Sequence, residues 1–182
     1  MLTQSTNENR SEKSNLLFTV RDQIGKYLYP IHRLDRQTSG AIMFAKIPEA
    51  VTKLTEVWNT DLVKKEYLAL VKGEILDGGR FDFPLTSQNK KTKQEAITIY
   101  NPLKQFKDST LVEVEIRTGR THQIRRHFGR RMQHVLGDRT YGKKINNNYF
   151  LENYGLERLF LHSHRIRFDH PYEFKRVTVN AP

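Results

Sequence analysis

Residues 32–40 read His-Arg-Leu-Asp-Arg-Gln-Thr-Ser-Gly. A single carboxylate, Asp35, stands between two arginines and ahead of a Thr-Ser-Gly turn. A carboxylate can act as a nucleophile or as a base, and loops at strand ends are where such groups commonly sit. The competing reading is an Asx-turn, in which the Asp35 side chain accepts backbone N–H groups near Thr38.

Residues 118–127 read Thr-Gly-Arg-Thr-His-Gln-Ile-Arg-Arg-His. Wound as a helix at about 100° per residue, Ile124, Phe128 and Met132 form one apolar stripe. Gln123, Arg126 and Arg130 point away from that stripe. Arg125 falls about 60° from its centre and should be partly buried, where a guanidinium needs a carboxylate. Gly119-Arg120-Thr121 at the helix start could present N–H groups and charge to a phosphate. The competing reading is a solvated basic face.

Three further segments are candidates. In Lys64–Val71, Tyr67 shares a strand face with Ala69 and Val71, whose small or branched side chains leave room for a flat partner on its ring; an ordinary core tyrosine reads the same way. Asp138, in the glycine-bracketed Gly137-Asp-Arg-Thr-Tyr-Gly142, reads as a turn residue rather than a catalyst. His162 and His164 share a strand side, as a metal pair could. With no cysteine in the chain and no acidic cluster nearby in sequence, no metal site is expected.

The elements that must position these groups follow from periodicity. Residues 1–15 are polar without period, and 1–17 read as a loosely attached arm. Residues 18–29 read as a short helix weakened by Gly25 and ended before Pro30. Residues 40–46 read as one buried strand, and 48–59 as a helix opening on Pro48. Strands are expected over 65–73, 94–100, 110–117, 158–168 and 175–180, a helix over 120–132, and over 145–149 a loop that could lead into a short helix. The pattern is mixed α+β in one domain over 18–182, without repeats or linkers.

Composition narrows the partners. Lys and Arg number 31 against 20 Asp and Glu, a net charge of +11. Such a field favours polyanions, nucleic acid above all. No stretch approaches the roughly 18 apolar residues of a membrane span, the polar start is no secretory signal, and the absence of cysteine suits the cytoplasm. No P-loop or dinucleotide-binding glycine pattern occurs, so no cofactor is expected.

Together, HRLDRQTSG, KKEYLALVKG, TGRTHQIRRH, LGDRTYG and RLFLHSHRIRFDHP resemble, in order, the motifs of the RluA family of RNA pseudouridine synthases. The resemblance covers roughly residues 18–182. TVRDQIG, HQIRRH and YGLERLFLHS are similar to the branch acting on uridine 65 of tRNA rather than to the ribosomal RNA branches. The resemblance implies a mixed, mainly antiparallel sheet with flanking helices around a central RNA-binding cleft. It implies Asp35 as the catalytic carboxylate, Tyr67 as the ring that stacks on the base, Arg125 as the partner of Asp35, and Arg33 beside a flipped-out nucleotide. The expected RNA contacts are Arg33, Arg36, Arg120, His122 and Arg126, with Arg130, Arg131, Lys143 and Lys144 available to phosphates. The partner is then RNA, tRNA before rRNA, bound by a monomer. The resemblance also implies a strand and a Lys-Pro-Ser-Gly loop ahead of His32. The 31 residues before it hold no such loop, so the chain reads as N-terminally shortened. A non-catalytic RNA-binding relative is the alternative function.

Overall fold

The computed structural model describes residues 16–87, 92–173 and 175–182. The helices are α1 (Leu16–Ile24), α2 (Pro48–Val57), α3 (Gln123–Arg130) and α4 (Lys144–Tyr154). The strands are β1 (Tyr29–Pro30), β2 (Ser39–Gly40), β3 (Phe44–Ala45), β4 (Lys64–Lys72), β5 (Gly79–Phe81), β6 (Leu85–Thr86), β7 (Lys93–Gln94), β8 (Thr98–Gln105), β9 (Ser109–Ile116), β10 (Leu161–Asp169) and β11 (Arg176–Asn180). The main sheet runs β11-β10-β4-β9-β8-β5, each neighbouring pair antiparallel, and β2 joins β10 in parallel. This is the mixed, mainly antiparallel α+β architecture that the motifs imply. Most of the expected arm over 1–17 lies outside the described residues; Leu16 and Leu17 already belong to α1. No helix among the described residues is long and apolar enough to cross a membrane.

One face of the sheet carries the core in two neighbouring clusters. Tyr67, Ala69 and Val71 of β4, Val112, Val114 and Ile116 of β9 and Leu161 of β10 pack with Ile124 and Phe128 of α3. Ile166 and Phe168 of β10 pack with Leu54 of α2, Trp58 and Val63. One extra residue in β10, between Ser163 and Arg165, shifts the register against β4. That bulge keeps Ile166 on the same face as Leu161, which a regular strand's period of two would not. The 31–43 segment spans the two clusters: Leu34 packs on the first, Ile31, Ala41 and Met43 on the second. Asp35, next to Leu34, lines a pocket whose apolar walls are Tyr67, Ile116, Ile124 and Leu161 of the first cluster.

Four expectations are corrected. The 40–46 run is not one strand: Ser39–Gly40 pairs with β10, and Phe44–Ala45 pairs with β1. Apolar content shows that this run is buried but not that it changes partner midway. Gly40 marks the change: its φ is 110°, and a Cβ there would lie on the Ser163 carbonyl oxygen. The 145–149 stretch is helical within α4. Phe150 is buried, and Asn147 donates to the Asp138 carbonyl oxygen while accepting the Gly137 N–H, so tertiary contacts override the weak helix propensity of asparagine. The helix expected over 18–29 spans Leu16–Ile24, and Tyr29–Pro30 is strand. Finally, α3 stops at Arg130; Met132 takes a φ of 62° and is 56% exposed, so it does not extend the apolar stripe.

The polar side of α3 is also less solvated than a helical wheel suggests, because Phe83–Thr86 and Ile97–Thr98 lie against it. Gln123, 3% exposed, donates to the Ile97 carbonyl oxygen and the Thr98 hydroxyl. Arg126 and Arg130 donate to the carbonyl oxygens of Thr86 and Pro84. His127 is fully buried, with Nε2 donating to the Phe83 carbonyl oxygen at 3.2 Å and Nδ1 accepting from Thr98 at 2.9 Å. Burial pushes its pKa down to about 4. The unfolded chain therefore binds a proton near the ordinary value of about 6.5 while the folded chain does not. This contribution to stability is complete above about pH 6.5 and is lost as pH falls toward 4. We expect His127→Gln to reduce the loss of stability between pH 7 and pH 4.5 by on the order of 2 kcal/mol, measured by urea denaturation at both pH values. Identical pH slopes for parent and variant would rule out this role.

Candidate active site

Asp35 reaches its position through local chain geometry. Its backbone carbonyl accepts the Thr38 N–H at 2.9 Å, closing a turn over 35–38, and β2 then anchors the chain to β10. On the other side His32 stacks on Trp58 with ring centroids 4.7 Å apart and accepts the Met43 N–H. Burial, reinforced by the Lys65 charge, lowers the His32 pKa to about 4, so it serves as a neutral acceptor. The expected turn exists, but the main chain makes it. The Asp35 carboxylate turns instead toward α3, 22% exposed.

Arg125 Nη1 donates to Asp35 Oδ2 at 3.1 Å. The remaining edge of the guanidinium is bound in bidentate fashion: Nε and Nη2 donate to Asp138 Oδ2 and Oδ1 at 2.8 and 2.9 Å. Arg125 is only 4% exposed and Asp138 not at all, so the need for a carboxylate read from the helical wheel is met twice. Burial opposes both charges. Asp138 and Asp35 nevertheless hold the Arg125 pKa above its ordinary value, and Arg125 with the N–H groups of Tyr141 and Thr140 holds that of Asp138 below. Asp138 is the turn residue that the sequence suggests, accepting the N–H groups of Thr140 and Tyr141. Its role as the buried counter-ion of Arg125 was not visible from local sequence.

His122 caps α3 in the left-handed conformation, φ 53°, a strained backbone of the kind that clusters at functional sites. Its Nε2 lies 3.8 Å from Asp35 Oδ1, and its Nδ1 lies 3.0 Å from the Tyr141 hydroxyl. Burial is the main cause that lowers its pKa; the Arg125 charge adds to this, and Asp35 opposes it.

A pocket of about 110 Å³ collects these groups; Asp35, Tyr67, His122 and Arg125 line it, with Arg33, Thr38 and Arg120 among the other walls. Tyr67 is 7% exposed and belongs to the core, so its ring forms part of the pocket wall rather than a projecting platform. Burial, then the Asp35 charge, pushes its hydroxyl up to about 12, and it stays protonated at neutral pH. Thr38 Oγ1 is buried with no hydrogen-bond partner among the described residues. The larger hollow of about 720 Å³ beside α4 contains neither Asp35 nor Tyr67.

Of the residues expected against RNA, Arg33 and Arg36 are exposed beside Asp35. Arg120 Nε donates to the Glu95 carbonyl oxygen and Arg126 to that of Thr86. The phosphate cradle expected at Gly119–Thr121 is partly filled, because the Arg120 N–H already goes to Gln123 Oε1 at 3.0 Å. His162 Nδ1 bonds the Ser39 hydroxyl at 2.8 Å, and no cluster of three or more potential metal ligands occurs among the described residues.

A pocket lined by one carboxylate, Asp35, and by the Tyr67 ring, with arginines around it, suits chemistry on a nucleotide base. The family model for RNA pseudouridylate synthase matches residues 1–130, and the chain belongs to that family, as an RNA pseudouridine synthase. Among its relatives, the tRNA pseudouridine synthase C of Pasteurella multocida is 37% identical over 193 aligned positions, covering 94% of this chain and 79% of the relative. That of Haemophilus influenzae is 36% identical over 191, covering 93% and 80%. The fold matches the solved structure of human RNA pseudouridylate synthase domain containing 1 with a TM-score of 0.76 at 24% identity, over 92% of this chain and 74% of that one.

Proposed function

We propose that this chain converts a uridine of tRNA, uridine 65, to pseudouridine, with residues 18–182 as the catalytic unit and Asp35 as the catalytic carboxylate. The observation that carries the reading is the Asp35 carboxylate lining the pocket beside Tyr67, 3.1 Å from the buried Arg125 guanidinium. Membership of the family and the names of the tRNA-modifying relatives support it.

The reaction is an isomerisation. The bond from C1′ to N1 breaks, the uracil turns, C5 bonds to C1′, and the proton on C5 leaves while N1 gains one. No electrons are exchanged with a second substrate. The target must leave its base stack to reach the pocket. Tyr67 then offers its ring to the uracil. Asp35 serves either as nucleophile on C1′ or as base toward a ribose proton; both roles need a charged carboxylate, which Arg125 orients. Arg33 and Arg36 face the incoming strand, and the net charge of +11 draws the phosphates in.

The test is tritium release from tRNA labelled at uracil C5, followed by mapping of the modified position. Release with the modification at position 65 is the expected result. Release from ribosomal RNA alone would overturn the substrate, and tight tRNA binding without release would point to a non-catalytic binder.

A further inference from the structure

Asp35 is hydrogen-bonded by Arg125 on one side and faced at 3.8 Å by the His122 ring on the other, and both neighbours lead back to one short segment. The first runs from Asp35 through Arg125 to Asp138. The second runs from Asp35 through His122 to Tyr141. Tyr141 also touches the first: the Arg125 guanidinium carbon lies 5.2 Å from the centre of its ring. The segment is itself rigidly set. Asp138 takes the N–H groups of Thr140 and Tyr141, and Asn147 of α4 bonds the main chain at Gly137 and Asp138. Gly137 has a φ of 77°, and a Cβ there would run into the Arg158 carbonyl oxygen. A fully buried aspartate and a tyrosine hydroxyl bonded to a strained histidine exceed what closing a surface turn requires.

We propose that the Gly137–Gly142 turn is the positioning element of the active site: Asp138 fixes Arg125, Tyr141 fixes His122, and these two side chains together set the Asp35 carboxylate. The proposal rests on the catalytic reading of Asp35 given above. Asp138 and Tyr141 are positioning residues, since neither lines the pocket. Because a carboxylate only accepts, we place the neutral imidazole's proton on Nε2, facing Asp35 Oδ1, so that the Tyr141 hydroxyl donates to Nδ1 of His122. The charged groups around that ring are Asp35, Arg125, Asp138 and Arg126. The Tyr141 hydroxyl favours the neutral ring, and its loss frees the imidazole to turn.

Tyr141→Phe is the decisive variant, because it keeps the ring under Arg125 and removes only the hydroxyl. Misplacement of a reacting group by about 1 Å costs on the order of 100-fold in rate, so a 10- to 100-fold fall in single-turnover rate is expected, with the Kd for tRNA unchanged within about twofold. His122→Gln should show a similar fall. The double variant should be no slower than His122→Gln, because both act on one chain of contacts. A second readout needs no activity. Nitrogen-15 NMR of the imidazoles, assigned with His122→Gln, should show His122 protonated on Nε2 in the parent. In Tyr141→Phe it should show a tautomer mixture with a higher titration midpoint. A parental rate in Tyr141→Phe, additive losses in the double variant, or an unchanged His122 spectrum would overturn the proposal. If the parent modifies no RNA, the catalytic reading of Asp35 fails, and the spectra alone decide whether Tyr141 sets His122.

Discussion

Asp35→Asn should lower turnover by on the order of 10⁴-fold, the scale seen when a group acting in the chemical step is removed, and leave tRNA affinity within a few-fold of the parent. The amide matches the carboxylate in shape, so the pocket walls formed by Tyr67 and His122 need not move. It cannot attack C1′ or accept a ribose proton. Affinity for RNA comes mainly from phosphate contacts, and Arg33 and Arg36 remain exposed on either side. Tritium release under single-turnover conditions and filter binding of the same tRNA separate the two effects. A variant within tenfold of the parental rate would remove Asp35 from the chemistry. Equal losses of rate and affinity would make it a binding residue.

Arg125→Met should lose both stability and activity. The substitution leaves Asp138, which has no exposed surface, without its bidentate partner. An uncompensated buried charge costs roughly 3–5 kcal/mol, which in a domain of this size lowers the melting temperature by about 10 °C. Asp35 loses its only guanidinium contact among the described residues in the same step. Adding Asp138→Leu separates the two consequences. With both ionic partners replaced by apolar groups, much of the stability should return, while turnover stays at the level of Arg125→Met. Thermal melts of the three proteins beside the tritium assay read this out. An unchanged melting temperature in Arg125→Met would show that the Arg125–Asp138 pair does not hold the fold. Recovery of turnover in the double variant would show that catalysis does not use Arg125.

The long central strands were legible because their chemistry is local. The clean alternation of 110–117 and the apolar 65–73 run match β9 and β4 within a residue or so. Arg125 was legible for the same reason: its angle from the Ile124–Phe128 stripe already required burial, and a buried guanidinium requires a carboxylate. Which carboxylate was not legible. Asp35 lies 90 residues away in the chain and Asp138 lies 13, and nothing in the local pattern says that the 137–142 turn folds back under α3. Gln123 misled for a related reason. A helical wheel counts one apolar face, whereas α3 is also covered by the main-chain carbonyls of Phe83, Thr86 and Ile97, whose contacts with a helix leave no periodic mark.

Sequence by itself singled out the candidate reactive groups, the basic charge of the chain and the long central strands, because side-chain chemistry and a period of two are written residue by residue. Tertiary structure decided how the carboxylate is held. The split of the 40–46 run between two ladders, the bulge that keeps Ile166 on the core face, and the convergence of Asp138 and Tyr141 behind Arg125 and His122 all depend on pairings between distant segments. Such pairings are settled by the packing of the whole sheet and its covering helices, not by any short stretch of chain.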